Sequence, residues 1–234
     1  MTIEKVPVSY RAGDVVYRGT LVRQTDTAPV AAVVLLPDWR GQSPLAFDHA
    51  RFLVERGCVV MIADLYGDGF SPTDPKQVTE LVKRLVEHRE VGVAAVRACF
   101  DALEVGTVAR FVLGYSAGGM IALDYGRSGA AIAGIVVASA LLKTAAGPTK
   151  IAAPVLVLQG TQDQVSPMSV IADVIAEMDA AGNDARFELY SQTHHAFDNP
   201  EAGTDPTARL CYSPAAAARS RQAIADFIET HRGR

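Results

Sequence analysis

From residue 30 onward, apolar residues come in short, nearly unbroken runs, separated by longer stretches in which they recur every three or four positions. The runs at 31–36, 59–63, 110–113, 132–138 and 154–159 are short for helices and mostly rich in β-branched residues, which predicts strands covered on both faces, and Arg186 to Tyr190 is a further candidate strand. Helical periodicity marks 44–56, 75–104, 117–127, 167–181 and 214–231. Pro75, Pro167 and Pro214 stand where a helix can begin without a backbone N–H. Gly92 is placed to kink the long second helix. This alternation predicts an α/β fold, a mostly parallel central sheet with helices on both faces. Before residue 30 the pattern differs. Two β-prone segments, 6–10 and 15–22, flank Ala12-Gly13-Asp14 and predict an antiparallel hairpin at a sheet edge.

Composition narrows the function classes. With 234 residues, 49% hydrophobic and 21% charged, the chain suits one α/β domain spanning 1–234, without repeats or a low-complexity linker. A net charge of −4 and the lack of a Lys/Arg cluster argue against a nucleic-acid partner. The longest apolar run, 130–142, is interrupted by Gly134 and Ser139 and falls short of the ~20 residues a spanning helix needs, so no membrane association is expected. Residues 1–10 are charged and β-prone, unlike a secretory signal, and read as mature structure. Cys58, Cys99 and Cys211 are odd in number and scattered, which suggests neither a disulfide framework nor a zinc site and points to a reducing cytoplasm. Oligomeric state leaves no mark in the pattern.

The chemistry is concentrated in three places. Gly114-Tyr115-Ser116-Ala117-Gly118-Gly119 has the form G-x-S-x-G, which holds a serine on a strained strand-to-helix turn. Taken alone the motif is a weak signal, but here a β-branched, apolar run precedes it and a helix-compatible stretch follows. The alternative is a glycine-rich turn whose serine merely caps the helix. At such a junction the Ala117 N–H points at developing negative charge, and a second donor is expected from the loop 36–41, where the Trp39 N–H is the candidate.

A serine hydroxyl needs a base, and the base needs a carboxylate to fix its tautomer. Asp163 follows the run 154–159 directly, at the carboxyl end of a predicted central strand, where open α/β sheets build their sites. Its alternative role is turn capping before Pro167. His194 and His195 follow the last strand, and adjacent side chains in extended backbone diverge, so only one can face the serine. His49, His88 and His231 fall in predicted helices and read as solvated or structural. A metal reading of Asp163, His194, His195 and Asp198 matches no known zinc spacing, and the expected chemistry needs neither metal nor cofactor. The stretch 139–153 is too short to hold a helical cap, which predicts an open pocket, and the long segment 198–213 is a candidate pocket wall.

Taken together, Leu36-Pro37-Asp38-Trp39-Arg40-Gly41, Ile62-Ala63-Asp64-Leu65-Tyr66-Gly67, the serine motif, Gly160-Thr161-Gln162-Asp163 and His195-Ala196-Phe197 resemble the dienelactone hydrolase family over most of the chain. The resemblance implies an α/β-hydrolase sheet without a large cap domain, small ester or lactone substrates, and His195 rather than His194 as the base. It departs at two points. Family members that act on dienelactone carry cysteine at the nucleophile with an acid in the first loop, where this chain has Ser116 and Asp38. They also bind the substrate carboxylate through arginines, one soon after the histidine, where Asp198 and Asn199 stand here. Arg40 and Arg209 are the replacement cations to consider. Asp38, Arg40, Tyr115, His194, Phe197 and Arg209 are the candidate pocket residues. The expected activity is a Ser116–His195–Asp163 hydrolase of small esters or lactones. Thioester hydrolysis or acyl transfer by the same residues, or a non-catalytic ligand-binding role, are the alternatives.

Overall fold

The computed structural model describes residues 2–233, so Met1 and Arg234, the ends of the expected domain 1–234, lie outside the described residues. Eight strands form one sheet: β1 (Ile3–Ala12), β2 (Val15–Gln24), β3 (Ala31–Leu36), β4 (Cys58–Ile62), β5 (Arg110–Ser116), β6 (Gly134–Ala140), β7 (Val155–Gly160) and β8 (Ala185–Tyr190). Their spatial order is β1-β2-β4-β3-β5-β6-β7-β8. The β1–β2 hairpin turns at Gly13 and joins the sheet antiparallel to β4, whereas all remaining pairs are parallel.

Period-two alternation sends successive side chains of the buried strands to opposite layers. Val34 and Leu36 join one apolar cluster, while Val33 and Leu35 join the other. Helices α1 (Pro44–Val54) and α6 (Pro214–His231) cover one face through Leu53, Val54, Ile224 and Phe227. Helices α3 (Arg89–Asp101), α4 (Ala117–Arg127) and α5 (Met168–Ala180) cover the other through Val96, Met120, Ile121 and Val174. Full burial of such a side chain contributes about 2 kcal/mol, so both faces are strongly held.

Local signals set the helix starts. Ser43 and Ser213 cap α1 and α6 by accepting from Ala46 N–H and Ala216 N–H, with Pro44 and Pro214 at the first helical positions. Pro167 is displaced by one position from expectation and is itself the extended cap residue of α5. The strand expected at 132–138 lies two residues later.

The expected single helix over 75–104 is two. A short 3-10 turn at Pro75–Gln77 leads into α2 (Val78–Glu87), which ends at His88 with φ −123° and ψ 52°, outside helical geometry. Gly92 does not kink anything. It lies within α3 where a Cβ would come 3.1 Å from Ile121, so the glycine allows close helix packing instead. Arg89, the first residue of α3, forms a double hydrogen bond with Asp124 of α4, which fixes the new helix direction.

Successive strands are added to one side of β3 up to β4 and to its other side from β5 onward, so the winding of the sheet switches between the parallel neighbours β3 and β5. The loops leaving the carboxyl ends of these neighbours therefore border a crevice. No helix lies between β6 and β7, so that connection places no helical cap over the crevice.

Candidate active site

Ser116 ends β5 and precedes α4 with φ 49° and ψ −118°, a left-handed backbone that costs a non-glycine residue roughly 1–3 kcal/mol. Two glycines make the turn possible. A Cβ on Gly118 would lie 2.3 Å from the Leu36 carbonyl oxygen, and one on Gly114 would lie 2.5 Å from the Gly118 carbonyl oxygen. The serine side chain makes no cap bond to the helix. Its Oγ lies 3.0 Å from His195 Nε2 instead.

His195 Nδ1 lies 2.7 Å from Asp163 Oδ2. The buried Asp163 also accepts from Gln159 Nε2 at 2.6 Å, Val165 N–H at 2.7 Å and Ser166 N–H at 2.9 Å. Every other partner of this carboxylate is a donor, which assigns the imidazole proton to Nδ1 and leaves the Nε2 lone pair for the serine hydroxyl. The geometry thus brings together the three side chains singled out in the sequence.

Sequence reasoning missed two further residues here. Gln159 is fully buried inside β7 and bonds through its amide to Asp163 and to both backbone groups of Ala140. A glutamine inside an apolar strand was the available signal. Ser139 sits at φ 47°, where the β5–β6 register slips by one residue, and its Oγ accepts from Ala196 N–H at 2.7 Å. That bulge ties the residue after His195 to the sheet.

The N–H of Ala117 is at the first turn of α4, where no intrahelical acceptor exists. Among the described residues the Trp39 N–H likewise donates to no protein group. Tyr66 OH donates to the Trp39 carbonyl at 2.7 Å and so fixes the orientation of that loop. Asp64, from the same motif as Tyr66, accepts from Tyr66 N–H, Gly67 N–H and Gly69 N–H. Burial pushes the phenol of Tyr66 well above its ordinary range, so it stays a donor at neutral pH.

A cavity of about 570 Å³ opens over Ser116 and His195. Of the candidate pocket residues, Asp38, Tyr115 and Arg209 line it and the others do not. Arg40 is turned aside: its guanidinium grips Asp38 and reaches Glu201 at 2.5 Å, which joins the loop after β3 to the segment 198–213. Burial works against that charge, but hydrogen bonding to Asp38 and the attraction of Asp38 and Glu201 outweigh it and raise its pKa. Asp38 is therefore held by Arg40 and not by the serine.

His194 points away, as divergence of neighbours requires, and bonds to the Ala208 carbonyl and the Gln162 side chain. Phe197 is fully buried against Tyr190. His49 is a buried residue, stacked at 3.9 Å on Tyr115, with Nε2 3.2 Å from Asp198. Burial, with the negative charge of Asp198 second, raises the Tyr115 phenol. The four candidate metal ligands thus do not assemble, and no cluster of three such side chains occurs among the described residues.

Segment 198–213 does form a wall, as expected from its length. It folds back so that Cys211 N–H donates to the His195 carbonyl and Ser213 N–H to the Phe197 carbonyl, while Asn199, Arg209 and Leu210 face the cavity.

A mostly parallel eight-stranded sheet with helices on both faces, no large cap and a serine at the strand-to-helix turn after β5 defines the α/β-hydrolase fold. The dienelactone hydrolase family model matches residues 18–232, and the chain belongs to that family. Membership makes it a carboxylic ester hydrolase. Among solved structures, a protein named m3DLH is 28% identical with a TM-score of 0.91, and the match covers 99% of each chain. The dienelactone hydrolase-like promiscuous phosphotriesterase P91 from metagenomic libraries is 25% identical, again with a TM-score of 0.91 and 99% of each chain covered. A dienelactone hydrolase from Anabaena variabilis shares the fold at 17% identity, with a TM-score of 0.68 and 99% of each chain covered. No curated protein matches the sequence. No helix among the described residues is long and apolar enough to cross a membrane.

Proposed function

We propose that this chain, acting as one α/β domain, hydrolyses small carboxylic esters or lactones through an acyl-enzyme on Ser116. The observation that carries the reading is the continuous hydrogen-bonded line from Ser116 Oγ through the His195 ring to Asp163. Ser116 Oγ attacks the carbonyl carbon while His195 Nε2 takes its proton. The oxyanion is held by the N–H groups of Ala117 and Trp39, a contribution worth about 3 kcal/mol per donor in comparable sites. Collapse breaks the carbonyl–oxygen bond, and the imidazolium returns its proton to the leaving alcohol. Water, deprotonated by the same Nε2, then attacks the acyl-enzyme, releasing the acid and restoring the serine. For a lactone, alcohol and acid remain one molecule. Asp163 keeps the imidazole in the working tautomer and offsets its positive charge. A reducing, cytoplasmic setting suits the three unpaired cysteines.

The test is Ser116→Ala assayed on p-nitrophenyl acetate, with circular dichroism as the check on folding. A fall in kcat/KM of about 10⁴-fold or more is expected with the fold retained. Hydrolysis at the wild-type rate by the folded variant would remove Ser116 from the mechanism.

A further inference from the structure

Helix α2 buries none of its residues fully, yet it carries a continuous apolar side. Val78, Leu81, Val82, Leu85 and Val86 are each half-buried, while Thr79, Glu80, Lys83, Arg84 and Glu87 are exposed. Part of the apolar side, Leu85 and Val86, rests on the edge of the core. The row Val78, Val82 and Val86, spaced one turn apart, faces the cavity above Ser116. Across the same cavity stand Trp39, Leu45, Leu141, Val165 and Leu210, contributed by five different segments. An amphipathic helix normally sets its apolar stripe against protein. Here three of the five stripe residues border a cavity far larger than a scissile ester group.

Most of the ionisable side chains around this cavity have a partner within the protein. Asp38 is gripped by Arg40, Asp198 faces His49, and Lys83 lies 3.9 Å from Glu87. Arg209 has no ion-pair partner among the described residues, so a carboxylate-bearing substrate is the outcome that competes with an apolar one.

We infer that the Val78–Val82–Val86 row is the specificity wall of the site, seating an uncharged apolar chain or ring attached to the ester bond. This inference rests on the proposed Ser116 chemistry. The attached group belongs to the acid or the alcohol half of the substrate, and two substrate series separate the halves.

The experiment measures kcat/KM for p-nitrophenyl esters from acetate to octanoate and for acetate esters of alcohols of increasing length. Each methylene that enters the wall should raise kcat/KM about fourfold, chiefly through KM, until the cavity is filled. The series that rises identifies the half bound. Val82→Asn should cut the hexanoate-to-acetate ratio, or its alcohol-side equivalent, at least tenfold, and Val82→Ile should restore it. A ratio is insensitive to partial loss of folded enzyme. Flat dependence in both series, an unchanged ratio in Val82→Asn, or faster hydrolysis of the p-nitrophenyl hemisuccinate than of the butanoate would overturn the inference. Ser116→Ala on acetate keeps the failures apart: flat series with that variant dead reject the wall alone, whereas an active variant rejects the nucleophile.

Discussion

On one side of the cavity, Ser116, His195, Asp163 and Gln159 form a chain of hydrogen bonds in which each polar atom has a partner and the backbone is held by bulge, turn and helix start. On the other side, α2 offers a row of valines, lacks a side-chain cap, and is separated from α3 by a non-helical His88. The first side tolerates little displacement, because hydrogen bonds and strained torsions have narrow geometric limits. The second relies on apolar contact, which is non-directional and survives changes of shape. In the proposed reaction, reaction type is thus attached to the rigid rim, and in the inference drawn from α2, substrate choice belongs to a surface that can be altered without rebuilding the rim.

The sharpest way to break this contrast is Asp163→Asn, which keeps the shape of the rim but inverts the hydrogen-bond sense at His195 Nδ1. A fall in kcat of about 10⁴-fold is expected, with a loss of stability of about 1–3 kcal/mol because the new amide N–H2 also faces the Gln159 donor. Retained turnover would show that the imidazole is held by something else. Gly118→Ala attacks the same rim sterically, since the new Cβ would meet the Leu36 and Pro37 carbonyl oxygens. Urea denaturation should register a loss of about 3 kcal/mol or more, and unchanged stability would mean the turn is looser than described. Gln159→Leu removes the amide that serves Asp163 and both backbone groups of Ala140. A destabilisation of about 2 kcal/mol should accompany roughly tenfold lower kcat. The contrast also requires α2 to be forgiving: Val82→Ala should shift stability by less than about 1 kcal/mol, since the side chain is only half-buried.

The centre of the sheet was readable because its strands are nearly unbroken apolar runs, and the candidate site was readable because a G-x-S-x-G turn, Asp163 and His195 each follow a predicted strand. The break at His88 was not. Apolar positions 78, 82, 85, 86, 93, 96 and 100 keep helical spacing straight through it, and Arg89 is the polar residue that interrupts the stripe. Its partner Asp124 lies 35 positions away, so local periodicity carried no trace of the contact. The same limit explains Arg40, His194 and Phe197. Proximity to the motif suggested the pocket, whereas Glu201 and Ala208, which engage Arg40 and His194, become their neighbours only through the return of segment 198–213, and Phe197 turns back onto Tyr190 of β8. Gln159 and Ser139 were legible in principle, as polar residues inside buried strands.

The proposed reaction stands or falls with Ser116 as the activated nucleophile. Its most direct test is peptide mass spectrometry after brief exposure of the folded enzyme to a fluorophosphonate. A covalent adduct should appear on the tryptic peptide spanning 111–127, located at Ser116, with loss of esterase activity in proportion to labelling and strongly slowed labelling in His195→Ala. An enzyme that is inactivated while that peptide remains unmodified, or that keeps full activity once Ser116 is occupied, would contradict the account.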